Sequence, residues 1–504
     1  MPTRDPFTEP FCRPEDLGLA IPDSDHAVSV CLPRWRDVIG YEEGDPEVIE
    51  TFECGYPRFV AHPYVAELFL AAQQEFAKNS KKAESALVFP SLPAAWRCAD
   101  YVKRLAGAPS RLESYGWGDL TAILLDESAY GTAWKYWQHS GEIVSSRLAE
   151  SALTDAPLDP ALAEAGRKAE DVLRSRIADL YPGTSPGDVF LLSSGMAAIS
   201  AIHRCLSALS PGAPSVQIEF PYIDAYKLQE QFGGIVDLTV SPSGGADEIG
   251  ALLASGQRIS AVYTELPSNP LLRTADLAAI SPILRQAGVP LVIDDTIATA
   301  VNVEPLRFAD AVTTSLTKLF SGVGDVAAGS VVLNPESPFY ESLREAMATE
   351  AAASPLFLRD AIALEVNSRH FAERVAASNA NADELVPWLR GRKEVAKLWH
   401  PTLECRSRYD QVRRENGGYG GLLSIELHGG EPAAAAFYDA LAISKGPSLG
   451  TNYSLVSPYT LLAHYQELEW ADQRGAPRNL IRIWIGLEEP DDLIERFDDA
   501  LACV

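Results

Sequence analysis

The period of the apolar positions changes near residue 186. From there, short apolar stretches of strand length alternate with longer stretches of helical spacing. The strand candidates are residues 189–192, 216–219, 236–240, 260–263, 290–293 and 329–333, each followed by turn chemistry or a helical stretch. This alternation predicts an α/β domain on a largely parallel sheet, and such sheets bind ligands at the carboxyl ends of their strands. Ahead of it, residues 67–185 read mainly as helix, with apolar residues three and four apart over 65–76 and 160–180. The polar-aromatic segment YWQHSGEIVSSRLA, residues 136–149, lies between those two stretches. Residues 1–66 are rich in proline and acidic residues and read as irregular. After about 375 the pattern is mixed, with a helix over 369–389, strands over 421–427 and 480–485, and a last helix over 490–502. Alanine runs at 351–353 and 433–436 read as helix. The chain thus divides into residues 1–66, a large domain over 67–375 with a helical insert to about 185, and a small α+β domain over 376–504.

With 504 residues, 47% of them hydrophobic, the chain exceeds the needs of one core, as that division requires. Its 42 basic and 69 acidic residues give a net charge of −27, which repels phosphate backbones and argues against nucleic acid. No apolar run has the length of a membrane span, and the first ten residues lack the apolar core of a signal peptide. A cytoplasmic protein with small-molecule partners is expected. The seven cysteines are scattered without C-x-x-C spacing and read as free thiols. The eight histidines are dispersed, and none is assigned to a metal.

Four segments of the α/β region carry candidate chemistry. In SSGMAA, Gly195 opens a helix after a strand, where backbone N–H groups and the helix dipole attract a phosphate; an ordinary strand–turn–helix junction has the same sequence. In LVIDDT, Asp294 ends a buried apolar strand, where a carboxylate is costly without a cationic partner such as a pyridinium nitrogen. Asp295 or Thr296 would also serve as a helix N-cap. In SLTK, Ser315 and Thr317 alternate with Leu316 and so share a face toward a phosphate, and Lys318 precedes the glycine-rich stretch from Gly322 to Gly329. A lysine at a strand end is otherwise a solvated surface residue. In ELPSNP, two prolines shape a turn that carries Glu265 and Asn269, and Asn269 is placed to hold a phenolic oxygen; a plain β-turn reads the same.

The ordered series SSGMAAI, ELPSNPLLRTADL, LVIDDT, SLTKLFSG, SLG and LIRIWIGLEEPDDL resembles the pyridoxal-phosphate (PLP) enzymes of cysteine and methionine metabolism. HAVSVCLPRWRDVIGYEEGD, YWQHSGEIVSSRLAE and PYTLLAHYQELEW resemble the fungal form of cystathionine γ-synthase within that family. The resemblance implies a fold-type I, aspartate aminotransferase-like transferase with a mixed, mostly parallel large sheet, and Lys318 as the lysine that holds the cofactor. It further implies backbone phosphate donors at Gly195 and Met196, side-chain phosphate ligands at Ser315 and Thr317, and Asp294 on the ring nitrogen. Tyr222 would stack on the ring, and Arg482 would grip the substrate α-carboxylate. Ser448, Asn269 and Glu265 would complete the substrate and cofactor shell. Tyr56 and Arg58, in GYPRF, would reach a neighbouring subunit's phosphate from an amino-terminal arm. At least a homodimer, and by family habit a homotetramer, is then expected. Lys318, with help from Tyr222 and Tyr56, would move the protons of a γ-replacement on an O-acyl-L-homoserine through a vinylglycine-type intermediate, with cysteine as nucleophile. Carbon or nitrogen nucleophiles, a γ- or β-lyase outcome, and an inactive binding relative are the alternatives. Three places depart from the family: Trp484, expected to reshape the pocket beside Arg482 or to pack in the core, the loop from Val323 to Ala328, and Asp295.

Overall fold

The computed structural model describes residues 4–56, 59–77, 84–154 and 159–504. Its largest sheet has seven strands: β4 Val189–Leu192, β5 Ser215–Ile218, β6 Ile235–Leu238, β7 Val262–Glu265, β8 Leu291–Asp294, β9 Ala311–Ser315 and β10 Gly329–Leu333. They are ordered β4-β10-β9-β8-β7-β5-β6, and only β10 runs antiparallel to its neighbours. The central strands are apolar and buried on both faces, as covering helices on either side require. Because β10 reverses between β4 and β9, β4 points the same way as β5 to β9, and all their carboxyl ends meet along one edge.

The expected strands over 189–192 and 329–333 have those bounds, and the other four lie one or two residues from their expected places. β9 was marked in the sequence only by the apolar run at 309–312. Its second half is Thr-Thr-Ser, because these hydroxyl-bearing residues serve the sheet edge: Thr313 bonds Asp294, Thr314 bonds Asp295, and Ser315 N–H donates to Thr296 Oγ1.

Residues 67–185 require a correction. They contain a second, three-stranded antiparallel sheet, with β1 Ser85–Phe89, β2 Ser110–Ser114 and β3 Thr121–Leu125 in the order β1-β3-β2. SALVF and TAILL are buried along almost their whole length, so the two-residue alternation that marks a half-exposed strand is missing. This sheet and the helices Pro63–Ala77, Leu92–Ala106 and Glu127–Ser140 enclose a separate core around Leu87, Phe89, Ile123 and Trp137.

The carboxyl-terminal domain holds a five-stranded sheet: β11 Val395–Trp399, β12 Leu422–Leu427, β13 Ser444–Lys445, β14 Leu455–Ser457 and β15 Ile481–Trp484, in the order β11-β12-β15-β14-β13. The amino-terminal arm is bound to this domain. Leu32, Trp35, Val38 and Val48 join its core, and the arm forms a helix at Trp35–Glu43 where an irregular path was expected. Phe11 N–H donates to Ser444 Oγ at 3.1 Å, and Leu32 N–H to Lys445 O at 3.0 Å. The buried Lys445 ammonium donates to Pro33 O of the arm and to Asp439 O of its own domain, both at 2.9 Å, so backbone carbonyls from both sides of the contact satisfy the charge. Among the described residues no helix is long and apolar enough to cross a membrane.

The amino-terminal module is fastened to the large domain through Glu142, which is fully buried. It accepts from Arg97, from Arg204 at 3.2 Å and from the Tyr136 hydroxyl at 2.7 Å. Arg204 lies on the helix Gly195–Leu209 of the large domain. Glu142→Gln is expected to lower stability by about 3 kcal/mol, the usual cost of breaking a buried ion pair, measured by denaturant unfolding. Burial raises the Glu142 pKa, but Arg204 and Arg97 outweigh it and leave the carboxyl below its ordinary range. A depressed folded-state pKa stabilises above the unfolded value, and that contribution is lost as pH falls through the folded value. The parent is therefore expected to lose more stability than Glu142→Gln as pH drops below about 4.5.

Candidate active site

The carboxyl ends of β4, β5, β7, β8 and β9 converge on a cleft of about 940 Å3, its open mouth included. Gly195 and Met196 line it at the start of their helix. First-turn N–H groups have no intrahelical acceptor and carry the positive end of the dipole, so this corner attracts an anion. A Cβ at position 195 would lie 2.7 Å from Ser315 Cβ, so only glycine brings the two segments together. Ser315 and Thr317 both line the cleft. The Thr317 hydroxyl is also engaged with Ala328, donating to its oxygen at 3.2 Å and accepting from its N–H at 3.0 Å.

Lys318 follows in the turn after β9, and its Nζ donates to Ser448 Oγ at 2.9 Å. Ser448 O in turn accepts from Arg482 Nη2 at 3.2 Å, and Pro447 O accepts from the same nitrogen at 2.7 Å. Arg482 Nη1 donates to Asn269 Oδ1 at 3.3 Å, and the guanidinium lies 4.5 Å from the Tyr459 ring centroid. The guanidinium is buried, and among the described residues no carboxylate pairs with it; burial lowers its pKa. A buried cation in this state calls for an anionic ligand.

The opposite wall is acidic. Register places Glu265 beside Asp294 and Asp294 beside Thr313. Asp294 accepts from Thr296 N–H at 2.9 Å and from the Thr313 hydroxyl at 3.1 Å. Glu265 accepts from Tyr222 N–H at 2.5 Å. Burial raises both carboxyl pKa values, and Asp294 raises that of Glu265 further. Among the described residues neither has an ion-pair partner, so this wall calls for a cationic or proton-bearing ligand atom. Asp295 points to the other side of the sheet edge, where Tyr181 donates at 2.8 Å and Thr314 at 2.6 Å; burial pushes its pKa up to about 7.

Tyr222 lines the cleft at the start of the helix Ile223–Phe232. Asn269, expected to hold a phenolic oxygen, donates to the Tyr459 hydroxyl at 3.1 Å while accepting from Arg482. Tyr459 therefore belongs to the carboxylate corner, with no signal in the sequence beyond its place in PYTLLAHYQELEW. Val28 and Tyr56 of the arm line the cleft of their own chain, whereas Tyr56 was expected at a neighbour's site. The described chain on either side of Tyr56 is tied in place: Cys54 Sγ donates to Ser29 O at 3.0 Å, Val28 N–H donates to Gly324 O at 2.9 Å, and the helix Pro63–Ala77 packs on the helix Ser146–Leu153. Arg58 lies outside the described residues. Trp484, expected to reshape the pocket or to pack in the core, is buried and packs: its indole N–H donates to Thr451 O at 2.6 Å.

Residues 164–502 match the Cys/Met metabolism PLP-dependent enzyme family, and residues 64–145 match the fungal trans-sulfuration enzyme, N-terminal domain. The chain is 33% identical to a cystathionine γ-synthase of Neurospora crassa, over 97% of this chain and 98% of that protein. It is also 33% identical to an L-2-amino-4-chloropent-4-enoate dechlorinase/desaturase of Streptantibioticus cattleyicolor, over 95% of this chain and 97% of that protein. Among solved structures it is similar to cystathionine γ-synthase from Xanthomonas oryzae pv. oryzae, with 26% identity, a TM-score of 0.59, and coverage of 68% of this chain and 87% of that one. Both the sheet edge and these likenesses place the chain in one group: it belongs to the PLP-dependent enzymes of cysteine and methionine metabolism.

Proposed function

We propose that this cystathionine γ-synthase-like enzyme catalyses γ-replacement on an O-acyl-L-homoserine, with cysteine as nucleophile and cystathionine as product. The observation that carries the reading is the bridge at Ser448. One residue accepts from Lys318 Nζ through its hydroxyl and from buried Arg482 through its carbonyl. An amino acid whose carboxylate sits on Arg482 then brings its α-carbon toward the Lys318 amine.

The residues fit the family's cofactor. The helix start at Gly195 and Met196, with Ser315 and Thr317 opposite, would hold its phosphate. Asp294, a half-buried carboxylate without an ion-pair partner among the described residues, would hold the protonated ring nitrogen. When bound, PLP supplies an electron sink for charge that develops on the substrate. The chain's own groups do the rest. Arg482 clamps the carboxylate. Lys318 Nζ, held toward the substrate by Ser448, would take the α-proton and shuttle protons afterwards. Ser448 holds that amine in place, and Tyr222 and Tyr56 orient the reacting end. We expect a homodimer or homotetramer.

A second reading keeps the γ-chemistry and changes the nucleophile or the outcome. It is supported by the dechlorinase/desaturase relative, which matches at the same identity as the cystathionine γ-synthase. Packing of Trp484 removes one reason to prefer it. Mass spectrometry of the holoenzyme with O-acetyl-L-homoserine and a panel of nucleophiles decides between them. Cystathionine as the dominant product supports the first reading; another adduct, or 2-oxobutanoate released without a nucleophile, overturns it.

Lys318→Ala is expected to abolish covalent retention of the cofactor and to lower turnover by at least about a thousandfold, read by absorbance and product formation. Arg482→Lys replaces a forked donor by a point charge. It is expected to raise KM for the amino-acid ester about 10- to 100-fold, with the smaller change in kcat.

A further inference from the structure

Among the described residues, none of 63–154 lines the cleft. Yet one short piece of that module reaches the supports of three elements that do. Gly141 O accepts from the Ser194 hydroxyl at 2.7 Å, and at its φ of +66° a Cβ would lie 2.5 Å from Met196 Cβ, so glycine alone lets this strand of chain lie against the phosphate corner. Arg147 donates to Asp325 Oδ2 at 2.9 Å and to Asp325 O at 2.6 Å, in the loop that follows Lys318. His139 Nδ1 lies 3.1 Å from Asp224 Oδ1, and Asp224 Oδ2 accepts from the Tyr222 hydroxyl at 3.1 Å.

The third contact is chemically specific. Asp224 is 1% exposed and His139 8%. With its proton on Nδ1, the imidazole donates to the Asp224 carboxylate. Gln138 Nε2 adds a donor to the same oxygen at 3.3 Å. With Oδ1 held from the module, Oδ2 is fixed where it accepts the hydrogen bond of the Tyr222 hydroxyl. A side chain that must meet a reacting group tolerates misplacement of only about 0.5 Å, and this chain of bonds supplies that restraint.

We propose that His139 and Asp224 are positioning residues for Tyr222, through which the amino-terminal module acts on the reaction without touching substrate. The proposal rests on the placement of Tyr222 in the active site argued above. It gives the segment WQHSGE a task that the cleft-lining residues alone leave unassigned.

The test is a double-mutant cycle on the holoenzyme with Asp224→Asn, His139→Gln and Tyr222→Phe. Each of the first two variants is expected to lower kcat about tenfold, the worth of one charge-assisted hydrogen bond, with KM within about twofold. Each is also expected to change the visible circular dichroism of the bound cofactor before any substrate is added. Combined with Tyr222→Phe, which already lacks the hydroxyl, each is expected to cost less than about a further twofold. Fully additive losses in that background overturn the proposal. So do single variants that lower only the melting temperature and leave kcat and the dichroism unchanged. If Asp224→Asn does not accumulate as folded protein, His139→Gln carries the same expectations. The dichroism is recorded without substrate, so an error in the assigned substrate leaves that arm of the test standing.

Discussion

The site depends on one constraint, the register in which the strands of the large sheet end. Pairing of β7 with β8 sets Glu265 beside Asp294, and pairing of β8 with β9 sets Asp294 beside Thr313. A shift of one residue in either pairing would turn Asp294 to the opposite face, where Asp295 now sits, and its carboxylate would meet Tyr181 instead of the cleft. Burial of these strands on both faces stabilises the sheet, and the cross-strand bond from the Thr313 hydroxyl to Asp294 marks the register at its polar edge. The Glu265 and Asp294 carboxyls are thereby held close together with no ion-pair partner among the described residues, which is unfavourable in the protein alone and would become favourable with a cationic ring nitrogen beside Asp294. The apolar sheet stabilises a polar edge that would not hold itself.

The remaining parts are arranged around that edge by different anchors. The carboxyl-terminal domain brings Ser448, Tyr459 and Arg482, with Arg482 on β15 beside the core of its own sheet. The arm is tied to that domain through Lys445 and enters the cleft with Val28 and Tyr56. The amino-terminal module stays outside the cleft and braces it, through Gly141, Glu142 and Arg147. Beside the packing of Tyr101 and Tyr136 on Phe232, it makes buried charged contacts through Glu142 and Arg147. Such contacts fix an orientation more than they add stability, which suits a module whose place relative to the cofactor corner matters.

What was legible in the sequence follows from local physics. Asp294 stood out because a carboxylate at the end of LVI is costly anywhere, and Lys318 because hydroxyls and glycines surround it. The parallel strands were legible because each is a short apolar run between turns. The small sheet was not, since SALVF and TAILL lack alternation when buried on both faces and sit between strong helices. β9 was half hidden because its polar end serves the site. Tyr459 and Val28 escaped because nothing within a few residues of either reports the 190 residues between Tyr459 and Asn269, or the contact of Val28 with the loop after Lys318. Tyr56 was found by resemblance, which carries residue types across the family.

The charges of the cleft also bear on how a second substrate is chosen. Among the described residues that line it, the charged groups are Glu265, Asp294, Lys318 and Arg482. On the proposed reading, an amino-acid ester would set its carboxylate on Arg482 and its α-carbon toward Lys318, and Asp294 would hold the ring nitrogen. The wall left for the γ-end and its incoming partner is largely apolar, with Val28, Ile297 and Leu449. On that reading the deep groups would be committed to the first substrate and the cofactor, and selection of the nucleophile would fall to the mouth of the cleft and to the arm that carries Val28 and Tyr56. Deep residues are then expected to vary little among relatives that share the first half of the chemistry, while the arm differs with the second half. That is why identity of 33% to two enzymes of different outcome fixes the cofactor and leaves the nucleophile to be read from product.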